Sequence, residues 1–231
     1  ILAETGVRVE TAKGRQYLKD AGANVNENTK IVRFPRALVE ESLRLAPKKF
    51  SLGARRPGWD LPMNEGDCML MPDGEGITVI DRVTGEHRPS TYNDWLEATR
   101  LTDALDEVGV YWAMAEPGDV TDYSIPDVIS HWRKMFNNFS KHIQDSSSTA
   151  EESRWLLEVL QAIFGDKETI RQKHPYSFLV CPQSPLIIEG QHTDAYLALT
   201  GWDIPIAVMP MPLMGGTGPG SMLSMTILCN C

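Results

Sequence analysis

From about residue 90 the chain alternates apolar runs of strand length with segments of helical composition, and this alternation limits the fold more than any other feature. Ser90 or Thr91 stands in capping position before a helix carrying Trp95, Leu96, Thr99 and Leu105. Val108–Met114 is an apolar run that closes on Glu116, Pro117, Gly118 and Asp119. A helix over about 127–137 leads to the run Phe139–Ile143, a helix over 150–164 precedes Tyr176–Val180, and a helix over 188–199 precedes Pro205–Met209. Strands joined by helical crossovers predict an α/β fold with a parallel sheet. A complete (β/α)8 barrel takes roughly 200 to 250 residues. The 141 residues from 91 to 231 therefore predict only about the first half of a TIM-type barrel.

Residues 1–90 follow a different pattern. The segment 11–21 is helical and stops at Gly22, 30–34 is a short β-branched run, and 35–46 places Leu38, Val39, Ser42, Leu43 and Ala46 on one helical face. Short apolar runs at 50–53, 68–71 and 77–81 are separated by Pro57-Gly58, Pro72-Asp73-Gly74 and Thr84-Gly85. This predicts a small N-terminal α+β cap over 1–90, with 91–231 as the barrel portion. Ile1–Glu4 reads like the last turns of a helix and the apolar run 221–231 has no stop signal, so the chain reads as a fragment.

With 22 Lys and Arg against 31 Asp and Glu, the chain carries a formal charge of −9. That balance repels nucleic acid and anionic membrane surfaces and favours a neutral or cationic small molecule or a protein partner. The uncharged run 204–231 is too rich in proline and glycine to span a membrane. Cys68, Cys181, Cys229 and Cys231 are too few and too irregular for a disulfide framework, and no signal peptide opens the chain, so a cytoplasmic location is expected. Cys229 and Cys231 lack a second ligand pair, so no bound metal is expected. Met209, Met211, Met214, Met222 and Met225 read as adaptable core packing. An open parallel sheet exposes an apolar edge, which predicts self-association, as a homo-oligomer or an aggregate.

In parallel α/β folds the catalytic groups gather at the carboxyl ends of the strands. The expected rim carries Glu116 and Asp119, then Lys141 and His142, then Gln183 and Ser184, then 215–220. His142 is the candidate proton-transfer group, with a structural histidine as the alternative. Glu116 is the candidate for holding a cationic amine, with a helix cap as the alternative. Lys141, Gln183, Ser184, Gly215, Gly216 and Thr217 are candidate substrate-binding positions. The glycine-rich loop lacks the Gly-Lys-Ser/Thr ending of a nucleotide site and instead allows close backbone approach or a sharp turn. Trp112 and Trp202 could offer a ring face to a quaternary ammonium, with core packing as the default.

Several stretches together resemble one family. They are Glu4-Thr-Gly-Val-Arg-Val, Ala21-Gly-Ala-Asn-Val, Val32-Arg-Phe-Pro, Leu38-Val-Glu-Glu-Ser-Leu, Leu45-Ala-Pro, Thr84-Gly-Glu-His-Arg-Pro, Ser140-Lys-His, Cys181-Pro-Gln-Ser-Pro-Leu and Pro212-Leu-Met-Gly-Gly-Thr-Gly-Pro-Gly. In order and spacing they resemble the trimethylamine methyltransferase family, including members without pyrrolysine that demethylate glycine betaine and related quaternary amines. The resemblance implies a TIM barrel with an N-terminal extension. It also implies methyl transfer from a small methylated amine to the cobalt of a corrinoid carried by a cognate partner protein. In the trimethylamine branch, the pyrrolysine that orients the amine would lie beyond residue 231. Where the family usually reads Gly-Pro-Val-Thr-Leu-Ala-Gly, this chain has Gly218-Pro-Gly-Ser-Met-Leu-Ser-Met. Two other readings stay open: a barrel enzyme of another reaction class, and a non-catalytic half barrel that binds an amine or a corrinoid protein.

Overall fold

A computed structural model describes residues 1–64, 68–72, 74–120 and 124–230. Asp73, within a predicted turn, and Cys231 lie outside the described residues. The N-terminal region holds β1 (Val7–Val9), α1 (Ala12–Asp20), β2 (Asn24–Asn26), β3 (Ile31–Arg33) and α2 (Arg36–Leu45). Two small hairpins follow, β4 (Phe50–Leu52) with β5 (Leu61–Met63) and β6 (Thr78–Ile80) with β7 (His87–Pro89). The remainder runs α3 (Tyr92–Ala104), β8 (Val110–Tyr111), α4 (Ile125–Asn138), β9 (His142–Asp145), α5 (Ala150–Phe164), α6 (Lys167–Lys173), β10 (Tyr176–Val180), β11 (Ile187–Ile188), α7 (Gly190–Leu197), β12 (Ile206–Val208) and α8 (Met222–Cys229).

Local chemistry sets several of these boundaries. At the start of α3 the Thr91 hydroxyl accepts from the Asp94 amide while the Asp94 carboxylate accepts from the Thr91 amide, a reciprocal capping box. Thr149 caps α5 through the Glu152 amide, and Gly165, at φ 101°, follows its last residue.

The expected parallel sheet is present, with strand order β12-β10-β9-β8 and every pairing parallel. Tyr111, Ile143, Tyr176 and Phe178 pack with Trp95, Met135, Phe136, Phe139, Leu156 and Leu160 of the helices in one large core. Two strands differ most from their predicted ranges: β8 is confined to Val110–Tyr111, and β9 starts later than Phe139. Ser140 is tied to the Asp103 carboxylate through its amide and hydroxyl, at 2.6 and 2.8 Å, and Phe139 is a buried helix cap. Strand β9 therefore starts at His142 and ends at Asp145, so Lys141 and His142 stand at its amino end.

That amino end has a floor. The Gly53 amide in the β4–β5 region donates to the His174 carbonyl at 2.9 Å, and the Arg56 amide donates to the Ser140 carbonyl at 2.6 Å. A Cβ at Gly53 would collide with the Lys173 carbonyl oxygen. On either side of β8, parallel bridges pair Leu70 with Val108 and Gly76 with Ala115.

The opposite edge, β12, leaves Ile206 45% and Val208 61% exposed. The methionine reading is corrected there: Met225 is buried, whereas Met211, Met214 and Met222 are exposed, because the last strand and helix have little packed over them. The N-terminal sheet has the order β11-β1-β3-β2, so a strand from the loop after β10 completes it. Among the described residues, no helix is long and apolar enough to cross a membrane.

Candidate functional site

A cavity of about 420 Å³ opens at the carboxyl ends of β8 and β9, bounded by α3, α4 and the start of α5. Glu75, Glu116 and Asp145 bring carboxyl groups to it from three segments on the strand side, and Asp127 and Glu152 add two more from the first turns of α4 and α5. Tyr92, Trp95, Trp112 and Trp132 supply aromatic surface, and His131 and Lys134 line it from α4. Its size suits a small molecule.

The backbone fixes the three strand-side carboxyl groups in different ways. Asp145 ends β9, and its Oδ1 accepts the Ser146 amide at 2.8 Å. Glu116 follows β8; its amide donates to the Gly76 carbonyl at 3.0 Å and its carbonyl accepts the Ser90 hydroxyl at 2.6 Å. Glu75 holds a left-handed φ of 57°, rare for a residue with a side chain, and its amide donates to the Ala113 carbonyl at 2.7 Å. Next to it, Gly74 approaches so closely that a Cβ would collide with the Ala113 carbonyl oxygen.

Burial and mutual repulsion resist full ionisation of this group. Asp145 keeps a little surface at the cavity wall but lies deep, and burial together with Glu75 and Glu116 raises its pKa to about 7. Glu116 is raised by burial and by Glu75, and Glu75 by burial. His131 is held neutral, with a pKa lowered to about 4 by burial and by Lys134, and its ring lies 4.6 Å from that of Trp95. The Trp95 indole in turn donates to the Tyr111 hydroxyl at 2.8 Å. A pocket of constrained carboxyl groups and aromatic faces attracts an organic cation by charge and by cation–π contact. Among the described residues, no three His, Cys, Asp or Glu side chains gather in a metal-binding group.

Of the residues read from the sequence, Glu116 and Trp112 line this cavity. Asp119 instead accepts the Tyr92 amide at 2.6 Å, at the start of α3. Lys141 and His142 do not reach the rim, which corrects their expected placement. His142 is fully buried at the floor, hydrogen-bonded to the Gly53 carbonyl at 3.0 Å and the Ser177 hydroxyl at 2.9 Å. Buried Lys141 donates to the Leu105 and Val108 carbonyls at 2.5 and 2.7 Å and lies 4.6 Å over the Trp59 ring.

Gln183 and Ser184 line a separate, more apolar groove of about 210 Å³ beside Val208, Pro210 and Pro212. Ser184 donates to the Thr217 carbonyl at 2.7 Å, so these two predicted positions do meet. The Gly215 amide donates to the Gly218 carbonyl at 3.1 Å, and the Gly216 and Gly218 amides both donate to the Leu213 carbonyl at 3.0 Å. These amides are committed within the turn, which makes the loop a compact corner rather than an anion cradle.

Sequence reasoning missed Asp145, Glu75, His131, Tyr92 and Lys134. Asp145 had a signal, since a polar Asp-Ser-Ser-Ser run after an apolar stretch marks a strand end. Glu75 had none, because a charged residue between glycines reads as an ordinary turn.

Comparison with known proteins agrees with this architecture. Residues 1–230 match the family model described as Trimethylamine methyltransferase (MTTB). The chain is 27% identical over 231 residues to Trimethylamine methyltransferase MttB of Desulfitobacterium hafniense (strain DSM 10664 / DCB-2), covering 100% of this chain and 46% of the relative. It is 26% identical over 234 residues to Glycine betaine methyltransferase of Desulfitobacterium hafniense (strain Y51), covering 100% of this chain and 47% of that protein. The chain thus spans about half the length of the curated relatives it matches. A solved structure, that of the hydroxylamine MtmB complex, superposes with a TM-score of 0.62 at 14% identity over 98% of this chain and 51% of its own, a likeness of fold. From the matched sequence and the shared architecture together, the chain belongs to the trimethylamine methyltransferase family.

Proposed function

We propose that this chain forms the amine-binding part of a methyltransferase. The enzyme would move a methyl group from trimethylamine, or a related quaternary amine such as glycine betaine, to the Co(I) of a cognate corrinoid protein. The observation that carries this reading is the aromatic, carboxyl-lined cavity at the carboxyl ends of two parallel strands. In the same reading the four parallel strands are the first half of a TIM-type barrel, and the exposed β12 edge is where the sheet continues.

The reaction breaks a C–N bond and leaves the electron pair on nitrogen, so a positively charged substrate becomes a neutral amine. Glu75, Glu116 and Asp145 attract the charged substrate more strongly than the neutral product, which favours release after transfer. The aromatic walls keep water from the cation and hold it in one place, a positioning contribution. A cavity of about 420 Å³ suits a small amine and not a corrin macrocycle, which supports a methyl acceptor carried by a partner.

Titration calorimetry of the chain with trimethylammonium, tetramethylammonium and glycine betaine, set against a neutral tert-butyl analogue, tests the reading. Binding of at least one cation and not of the neutral analogue is expected. Equal binding of the neutral analogue, or no binding at all, would overturn it.

A further inference from the structure

The carboxyl groups on the two sides of the cavity are held differently. Asp127 accepts the Ser124 hydroxyl, Glu152 accepts the Ser148 amide at 2.7 Å, and both sit in first turns of helices whose dipoles complement a negative charge. Glu75, Glu116 and Asp145 have no such complement, and among the described residues none of the three makes an ion pair. Strand alternation sets Asp145 on the face of β9 that carries Ile143, the face packed against the helices, and its neighbour in β10 is Phe178. Where carboxyl groups share one poorly hydrated site, ionising one of them resists ionisation of the next.

The other groups around Asp145 do not take over its proton. Tyr111 of β8 and Tyr176 of β10 face it with hydroxyls that burial and the Asp145 charge keep protonated. His131 of α4 is neutral near pH 7. Lys134, also of α4, sets its ammonium 4.4 Å over the Tyr92 ring rather than against a carboxylate. We infer that the cavity exchanges a proton for its cation: when empty it keeps a proton on the Glu75, Glu116 and Asp145 group, seated mainly on Asp145, and an organic cation that enters expels that proton to solvent. This rests on the amine-binding reading above and adds its regulation. Charge balances at each stage. One proton leaves as one cation enters, and when methyl transfer leaves a neutral amine, one proton returns from solvent to the carboxyl group.

The test is titration calorimetry of the chain with tetramethylammonium, whose charge does not change with pH. Asp145 titrates near pH 7, so affinity should fall roughly tenfold from pH 8 to pH 6. At pH 6.5 the binding heat should differ between two anionic buffers of unlike protonation heat, by an amount equal to roughly half a proton or more released per cation. Asp145→Asn should bind more weakly, release no proton and lose the pH slope. Glu116→Gln should keep the release but move the slope to lower pH, because removing a neighbouring charge lets Asp145 ionise sooner. A merely structural aspartate gives no such shift. Equal heats in both buffers with a flat pH profile, a slope that survives Asp145→Asn, or an unmoved slope in Glu116→Gln would overturn the inference while leaving cation binding intact. Failure of the unaltered chain to bind any cation at pH 8 would sink the amine-binding reading, and this inference with it.

Discussion

His142 ties the parallel sheet to its floor through Gly53: Nδ1 donates to the Gly53 carbonyl at 3.0 Å while Nε2 accepts the Ser177 hydroxyl at 2.9 Å. The Gly53 carbonyl fixes a proton on Nδ1, and in the neutral ring Nε2 is then the acceptor. Full burial lowers the pKa to about 4. The unfolded chain takes up a proton near pH 6.5 that the native state refuses until about pH 4. The contribution of this residue is therefore complete above about pH 6.5 and falls as pH drops toward 4, by up to about 3 kcal/mol. His131 adds a loss in the same direction. Melting curves at pH 7 and pH 5 should show the drop, and His142→Gln should flatten it; an unchanged slope in that variant would remove His142 as its source.

Asp145 titrates with the opposite sign. Its raised pKa of about 7 means that the native state prefers the neutral acid, so its contribution is present at low pH and lost as pH rises through 7. Asp145→Asn should stabilise the empty chain at pH 8 and weaken tetramethylammonium binding by about tenfold or more. Urea unfolding and calorimetry on the same variant check the two halves, and a variant that binds as well as the parent would place the cation elsewhere.

The entry into α3 carries a concentrated load. Arg88 makes a two-point ion pair with Asp94 at 2.7 and 2.8 Å, and Asp94 also completes the Thr91 capping box. Thr91→Ala should cost about 1 kcal/mol. Asp94→Ala should cost more, because it strips both the cap and the Arg88 partner. Denaturant midpoints measure both, and equal losses would show that the ion pair adds nothing.

At the floor, Gly53→Ala should destabilise by about 1 to 3 kcal/mol, since its Cβ would strike the Lys173 backbone, which cannot swing aside as a side chain would. A melting temperature within a degree or so of the parent would show that β4 shifts freely.

The exposed edge of β12 gives a prediction about association. Val208→Lys places a charge on an unpaired, apolar strand edge and should reduce aggregation without lowering the unfolding midpoint, because Val208 is 61% exposed. Light scattering against concentration would detect the change.

Residue chemistry made the main architecture legible. Apolar runs such as Tyr176–Val180 kept their predicted bounds because a fully covered parallel strand needs no charge, and α5 is marked by Thr149 at one end and Gly165 at the other. Two-residue strands such as β11 carry no periodicity and could not be read. The site was legible only in part. Glu116 follows directly on an apolar run, but His142 was assigned to the wrong strand end, because Phe139 and Ser140 look β-like while Asp103, far away in sequence, holds Ser140 in the turn. The Tyr92–Lys134 pairing depends on how two helices meet, which no local pattern encodes.

The union of β1 with β11 has a consequence for how the chain acquires its shape. Arg8 and Glu10 donate to the Leu186 and Ile188 carbonyls at 2.9 and 3.0 Å, joining segments from nearly opposite ends of the sequence. Such a closure comes late, because the intervening chain must be ordered before the contact is favourable. During synthesis β1 emerges long before its second partner: it can pair with β3 early, but its other side stays bare until the loop after β10 has been made.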